Sequence, residues 1–401
     1  MQLTPPDLFQ LLSTDFARMR IALVITELDP GGAEKCLVQL AGYLKNTGHE
    51  VKVFALGVKP KSPRDELLKQ LDAYGVTTKF GGATSILSLP RTQRWLRRHL
   101  REFSPEIVQS MLFHANLLAV LSADLSVSQL MGGVRVRQPE RWRWWIQRWA
   151  ATRMTKVICV SDDVMQHCFE RERIPASKLM VIPNGVDLAE IDRQLSLSVR
   201  LQWSELGVPD AARVLLFVGR LHRQKGIDKL IMMSDQLLNQ LPEHHLVLMG
   251  DGPLEQHLKD LARTLNCSNR IHFVGWQPNA VQWIGRAEML LLPALYEGMP
   301  NVVLEAMAAQ RPLVAFEIDG VRQAMGDKQH LVYRQQIAPQ RDFQSLIDLV
   351  QHLTSHTNDR LDCGAYNRAR IEENFLLSEQ LKLYEQVYRS NQTSENTNRH
   401  G

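Results

Sequence analysis

One pattern restricts the fold of this chain more than any other: a buried strand, a glycine-bearing turn and a helix, met near the start and again near the middle. At Met19 the text turns abruptly apolar, Met19-Arg20-Ile21-Ala22-Leu23-Val24-Ile25, and Gly31-Gly32-Ala33-Glu34 follows. Such a run reads as a parallel strand covered on both faces. A helix over 34–46 is stopped by Gly48, and 51–56 is the next strand. Strand, glycine turn, helix, strand is a βαβ unit opening a doubly wound sheet. Helices over 64–74 and Leu89–Phe103 come next, then a strand at Ile107–Met111, His114, and a helix from Ala115. A strand over 154–160 leads to Ser161, an N-cap for a helix over 162–173. A strand over 178–182 ends in Pro183-Asn184-Gly185-Val186-Asp187, which is turn chemistry.

After a polar stretch over 187–213 the pattern restarts. The strand 214–218 runs into Gly219-Arg220 and a helix beginning near Gly226. The strand 245–249 runs into Gly250-Asp251-Gly252-Pro253, and 271–273, Met289–Leu292 and 313–315 are further strands. Two serial doubly wound, Rossmann-like domains are therefore expected, 19–190 and 191–375, facing each other across a cleft. Residues 1–18 are an appendage, 376–390 a C-terminal helix, and 391–401 a disordered tail without apolar residues. A chain of 401 residues agrees, since single cores stop growing well short of that length.

Composition excludes several classes. No apolar run approaches the roughly 20 residues of a membrane helix, and the N-terminus lacks a signal-peptide pattern. The five cysteines are scattered without a CxxC pair, which reads as reduced thiols in a cytoplasmic protein and as no zinc site. A net charge of +4 is too small to imply nucleic acid.

In open α/β sheets the chemistry lies on loops beyond the carboxyl ends of the strands. Two segments stand out there. In Gly219-Arg220-Leu221-His222-Arg223-Gln224-Lys225-Gly226, two cations follow a strand end before a helix N-terminus, which suits a diphosphate; the competing reading is a pair of solvated surface cations. In Tyr296-Glu297-Gly298-Met299-Pro300-Asn301-Val302-Val303-Leu304-Glu305, Glu297 occupies a strand-end loop and Glu305 a helix otherwise made of apolar residues. A carboxylate there needs a partner, either adjacent sugar hydroxyls or a protein cation. His114 follows the strand Ile107–Met111; a lone histidine is more often structural, but this position is at the cleft edge. No Asp-x-Asp occupies such a loop and no histidines have ligand spacing, so no metal site is expected.

In order and spacing these segments resemble the family-4 (group 1) retaining glycosyltransferases of the GT-B fold, whose signature is two glutamates separated by seven residues. The resemblance runs from Met19 to about Tyr388. It takes in Gly31-Gly32-Ala33-Glu34, His114, Ser161, Pro183-Asn184-Gly185-Val186-Asp187, Gly219-Arg220, Lys225-Gly226, Gly250-Asp251-Gly252-Pro253 and Glu297 to Glu305. It implies a metal-independent hexosyltransferase. Such an enzyme moves a hexosyl or N-acetylhexosaminyl group from a nucleoside-diphosphate sugar, UDP-linked, to a glycan or lipid-linked acceptor in cell-envelope polysaccharide or glycoconjugate synthesis. The nucleotide sugar would be a co-substrate, with no other cofactor.

By the same resemblance, 19–190 would be the acceptor-side domain and 191–375 the nucleotide-sugar-binding domain; Arg220 and Lys225 would hold the diphosphate and Glu305 the ribose hydroxyls. Glu297 would contact the donor sugar, with the Asn301 and Val302 amides completing the phosphate cradle. Gly31 and Gly32 would let the first loop approach phosphate and acceptor, and His114 would stand by the reacting sugar. Pro300 has no N–H to donate. The alternatives are a sugar-nucleotide epimerase of the same architecture and a non-catalytic GT-B regulatory subunit. A dinucleotide oxidoreductase is excluded by the missing G-x-G-x-x-G.

Residues 135–156 carry seven cations, one acid and four tryptophans, and Arg91, Arg94, Arg97, Arg98 and Arg101 with Trp95 and His99 form a second basic cluster. Either the tryptophans are core and the arginines solvated, or 135–156 is a surface for anionic headgroups. The second reading places the protein peripherally on the inner face of the cytoplasmic membrane.

Overall fold

The computed structural model describes residues 18–126, 128–137 and 140–398; the expected appendage lies, but for Arg18, outside them. Among the described residues thirteen strands alternate with helices. The first seven are β1 (Arg20–Ile25), β2 (Glu50–Gly57), β3 (Thr77–Ala83), β4 (Ile107–Met111), β5 (Gln129–Val134), β6 (Lys156–Cys159) and β7 (Leu179–Val181). They form one sheet in the order β3-β2-β1-β4-β5-β6-β7. The remaining six are β8 (Arg213–Val218), β9 (His244–Met249), β10 (Ile271–Gly275), β11 (Met289–Leu292), β12 (Leu313–Phe316) and β13 (Ile337–Ala338), in the order β10-β9-β8-β11-β12-β13. The pairings β1–β2, β1–β4, β8–β9 and β11–β8 are all parallel. The expected doubly wound α/β class is what the chain forms.

Each sheet has its switch point where sequence reading places chemistry. In the first, chain order runs outward from β1 on one side and from β4 on the other, with Ile25 level with Met111. In the second the adjacent strands are β8 and β11. Crevices that bind ligands open at such points, beyond the carboxyl ends of the strands.

The chain divides into two compact units. One comprises residues up to Gly133, Trp142–Val157 and residues from Tyr388 on; the other comprises Val134–Arg141 and Ile158–Val387. The division is thus not a single cut. The first unit has its core along β1, where Ile21 to Ile25 are all fully buried, and under Leu37, Leu40, Ala41 and Leu44 of the helix Gly32–Asn46. That helix ends at Thr47, and Gly48 at φ 92° takes the left-handed conformation that suits glycine. In the second unit the core follows Leu215–Phe217, Leu246–Met249 and Met289–Leu292.

Three sequence expectations change. The polar stretch over 187–213 contains the helix Leu188–Ser198, capped by Asp187, whose Oδ1 accepts from the Glu190 amide at 3.1 Å; Ile191 and Leu195, one turn apart, put apolar side chains on one face. The C-terminal helix, expected to stop near 390 with a disordered tail, runs from Leu377 to Asn398. Its last residues are polar but contain neither glycine nor proline to break it; 399–401 lie outside the described residues. The helix expected from Ala115 begins at Phe113, so His114 sits in its first turn. Ser161 caps the helix Asp162–Glu170 as expected, accepting from the Val164 amide at 3.3 Å.

Candidate functional site

In the second unit, the loops after β8 and β11 are bound together before any side chain of interest is placed. The Leu295 amide donates to the Gln224 carbonyl at 2.8 Å, and Gln224 Nε2 donates to the Tyr296 carbonyl at 2.9 Å. Gly226, at φ 64°, would put a Cβ 2.1 Å from the Pro293 carbonyl oxygen, so only glycine permits this approach. The β9 loop joins from the other side: the Leu221 amide donates to the Asp251 carbonyl at 2.8 Å, and a Cβ on Gly250 (φ 136°) would meet the Gly219 carbonyl oxygen at 2.0 Å.

On this frame Lys225 Nζ stands 2.5 Å from Glu297 Oε1, with the two side chains only 16% and 13% exposed. The pairing decides against Lys225 as a solvated surface cation. Arg220 differs: it is exposed and has no ion-pair partner among the described residues. Glu305 lies half-buried in the helix Asn301–Ala308, among buried Val303, Leu304, Ala306 and Met307. Asn301 and Val302 open that helix, and first-turn amides are the ones an α-helix leaves without intrahelical partners. Pro300 precedes them as the N-cap at φ −74° and ψ 117°.

Several residues around this helix start make contacts that the sequence did not show. Asn184, 2% exposed, donates through Nδ2 to the Met299 carbonyl at 2.9 Å and to Asn301 Oδ1 at 2.6 Å. Its Oδ1 accepts from Arg135. Arg137 pairs with Asp319, and Arg322 with Asp163. A Cβ on Gly298 would strike the Arg135 carbonyl at 1.9 Å, and one on Gly320 the Gly298 carbonyl at 2.0 Å. The Asn in Pro183-Asn184-Gly185 was visible as turn chemistry; its partner 117 residues away was not.

In the first unit, Gly31 and Gly32 follow β1 and His114 follows β4, the strands of that sheet's switch point. Gly31 is extended (φ −155°), and a Cβ there would lie 2.3 Å from the end of the Glu34 side chain, which would have to move aside. Leu112, the residue between β4 and the His114 helix, has φ 78°, a conformation that costs about 1–3 kcal/mol in a non-glycine residue. It is held by its amide bond to the Gly133 carbonyl at 3.3 Å and by Asn116, which accepts from Ser110 Oγ at 2.8 Å and donates to the same carbonyl at 3.0 Å. His114 stacks edge-on against Phe113 at 5.4 Å. Burial, and then the Arg143 guanidinium, hold its imidazole below the ordinary histidine range, so it is neutral at pH 7.

Three of the four tryptophans of 135–156 are exposed and Trp144 is half-buried. Trp142, Trp145 and Trp149 of the helix Arg141–Arg153 are 55%, 72% and 38% exposed. In the second basic cluster, Arg91, Arg94, Arg98 and Arg101 are exposed and Trp95 is half-buried. Among the described residues no group of three or more His, Cys, Asp or Glu is placed to hold a metal, and no helix is long and apolar enough to cross a membrane.

Two parallel, doubly wound sheets with strand-end glycine loops at both switch points define the GT-B class. The structure of Anabaena HepE with UDP and glucose superposes with a TM-score of 0.78 at 17% identity, over 93% of this chain and 100% of that one. Sucrose-phosphate synthase from Thermosynechococcus elongatus gives 0.77 at 19% identity, over 94% and 100%. Residues 30–190 match the family described as Glycosyltransferase Family 4, and residues 212–356 that described as Glycosyl transferases group 1. The chain belongs to the group 1 glycosyltransferases.

Among curated relatives, the UDP-Gal:alpha-D-GlcNAc-diphosphoundecaprenol alpha-1,3-galactosyltransferase of Escherichia coli is 30% identical over 44% of this chain and 46% of its own length. The lipopolysaccharide core biosynthesis glycosyltransferase LpsD of Rhizobium meliloti is 25% identical over 72% and 76%. The first relatives are matched over less than half of their own length, 46%, 43% and 34%.

Proposed function

We propose that this chain is a retaining, metal-independent glycosyltransferase. It moves a hexosyl or N-acetylhexosaminyl group from a UDP-linked sugar to a glycan or lipid-linked acceptor in cell-envelope polysaccharide or glycoconjugate synthesis. The observation that carries the reading is the cluster at the β8–β11 switch point: exposed Arg220, the largely buried Lys225–Glu297 pair, and Glu305 one turn inside a helix whose amides start at Asn301. Fixed cations and helix N-termini stabilise a departing diphosphate without reorganising as charge develops. A relative acting on UDP-galactose and a neighbour crystallised with UDP and glucose support the choice of nucleotide. The lipid-linked substrate in that relative's name supports the choice of acceptor.

In this reading Arg220, Lys225 and the Asn301 and Val302 amides hold the diphosphate, and Glu305 accepts from the ribose hydroxyls. Glu297, oriented by Lys225, accepts from hydroxyls of the donor sugar. The bond from the anomeric carbon to the phosphate oxygen breaks as the acceptor oxygen bonds to the same face. The acceptor proton goes to the departing phosphate, so no carboxylate base is required. Neutral His114 can donate to or accept from the reacting sugar, and Gly31 and Gly32 let their own loop approach the substrate closely.

Incubation with a panel of nucleotide sugars and lipid-diphosphate or oligosaccharide acceptors tests the proposal, with the anomeric configuration of the product read by NMR. Transfer with retained configuration is expected. Inverted product would remove the retaining assignment. Interconversion of nucleotide sugars without transfer would favour an epimerase, and absence of any nucleotide binding a regulatory subunit.

A further inference from the structure

The reading above leaves one face of the helix Arg141–Arg153 unused. At about 100° per residue, Trp142, Trp145 and Trp149 fall within an arc of about 60°, and all three are exposed. Gln147, Ala150 and Ala151 fill the opposite side and are buried. Arg148 borders the indoles on one flank and Arg153 on the other, both exposed. The Arg153 guanidinium lies 4.2 Å over the Trp149 ring. The thirteen-residue helix, Arg-Trp-Arg-Trp-Trp-Ile-Gln-Arg-Trp-Ala-Ala-Thr-Arg, has four arginines and no acid.

Three clustered indoles left in water form an apolar patch that calls for a partner. Indoles have an apolar body and an N–H tip, and so favour the headgroup level of a bilayer, while arginines beside them reach lipid phosphates. A protein partner would ordinarily be met by charges of both signs; a helix carrying only cations complements a uniformly anionic layer. A second helix, Leu89–Phe103, adds to the positive field of the same unit. Its Arg97 and Gln93 are tied to the Leu121 carbonyl of the neighbouring helix, Arg98 pairs with Glu102, and Arg91, Arg94 and Arg101 remain exposed.

We propose that the Trp142–Trp145–Trp149 face docks this chain on an anionic lipid bilayer, indoles at the headgroup level and Arg148 and Arg153 on lipid phosphates. The inference deepens the glycosyltransferase reading and takes its purpose from it. Trp142 packs edge-on against Phe113 at 5.9 Å, and Phe113 adjoins His114. The docked helix therefore begins beside the residue assigned to the reacting sugar, where a lipid-linked acceptor would emerge from the bilayer.

Sedimentation with vesicles of mixed phosphatidylglycerol and phosphatidylcholine, and of phosphatidylcholine alone, tests the docking. Wild type should pellet with the mixed vesicles at low salt, bind the neutral ones weakly, and show blue-shifted tryptophan emission when bound. Arg148→Gln with Arg153→Gln should weaken binding roughly tenfold or more, since each cation near an anionic surface counts for several-fold. Trp145→Ala with Trp149→Ala should also weaken it and remove most of the blue shift. These positions are exposed, and circular dichroism confirms that each variant folds. Failure of wild type to bind, or unchanged binding by both double variants, would overturn the proposal. So would a tryptophan-dependent dimer that ignores vesicles. UDP affinity, measured by calorimetry on the same preparations, separates the two readings: UDP binding without vesicle binding sinks the docking alone, and vesicle binding without nucleotide binding sinks the glycosyltransferase reading alone.

Discussion

Lys225 and Glu297 are 72 residues apart in sequence and 2.5 Å apart in space, and each is expected to matter for more than its own charge. Removing one member of a largely buried pair leaves the other uncompensated, so Lys225→Ala should disturb the Glu297 loop as well as the diphosphate. Turnover in Lys225→Ala, and separately in Arg220→Ala, should fall by about two to three orders of magnitude, the usual effect of losing one preorganised electrostatic group. Steady-state kinetics with a matched donor decides it; losses within a factor of two for both would move the diphosphate elsewhere. The two glutamates should separate. Glu305→Ala should chiefly weaken UDP binding in calorimetry, whereas Glu297→Gln should chiefly lower transfer, because Glu305 lies in the helix and Glu297 on the loop held by the lysine. Equal loss of affinity in both would refute that division.

Glu172 offers a residue-scale test independent of function. It is 1% exposed, with His167 Nε2 3.7 Å from its Oε1 and the Cys168 thiol beside it. Burial pushes its carboxyl up from 4.5 to about 7. Between those values the folded state keeps a proton that the unfolded state has lost, so this group's contribution falls as pH rises through the window and is fully unfavourable above it. The total is on the order of 3 kcal/mol. His167 nearby is lowered to about 4, burial being the main cause, and acts in the opposite sense, with stability lost as pH falls below about 6.5. Glu172→Gln should therefore lose less melting temperature than wild type between pH 5 and pH 8. Parallel melting curves across that range would show that the carboxyl titrates normally.

At the scale of elements, the helix Asn301–Ala308 is short, eight residues, and its first turn is aimed by contacts from outside it. Asn184 supplies two of them. Asn184→Ala should cost about 1–3 kcal/mol by leaving buried partners unsatisfied. It should also weaken UDP binding although Asn184 is assigned no contact with nucleotide. Thermal unfolding alongside calorimetry checks both; destabilisation with unchanged UDP affinity would show that the helix start does not depend on this anchor. Gly226 and Gly298 act at the same scale. Each lets two backbone segments approach to a distance that a methyl group forbids, which is how loops from different strands come to carry neighbouring side chains.

At the scale of the whole molecule, stability should respond to nucleotide and not to chelator. A ligand that binds only the folded state at about a hundred times its Kd adds roughly 2.7 kcal/mol. UDP at saturating concentration should thus raise the melting temperature, and EDTA should change neither that rise nor the rate of transfer. Abolition by EDTA and rescue by a divalent ion would refute the metal-independent assignment.

Alternation of apolar runs with glycine turns determined the doubly wound class, because a strand buried on both faces must be nearly all apolar and the turn after it must admit a close backbone. That reading located β1, β4, β8 and β11, and hence the loops bearing Gly31, Gly32, His114, Arg220, Lys225 and Glu297. Strands such as β3 and β13 escaped it. Glycine-bearing Thr77–Ala83 lies at one sheet edge, half-exposed, and Ile337–Ala338 is two residues long; neither supplies enough apolar pattern to read. Only the tertiary structure could pair Lys225 with Glu297, tie Asn184 to the helix start, or hold Leu112 in a left-handed conformation, since these depend on residues distant in sequence. It also decided the fate of the tryptophans. Their spacing in Arg141–Arg153 fits a buried stripe and an exposed one equally, and which side of a helix faces the sheet is settled by packing, not by the period.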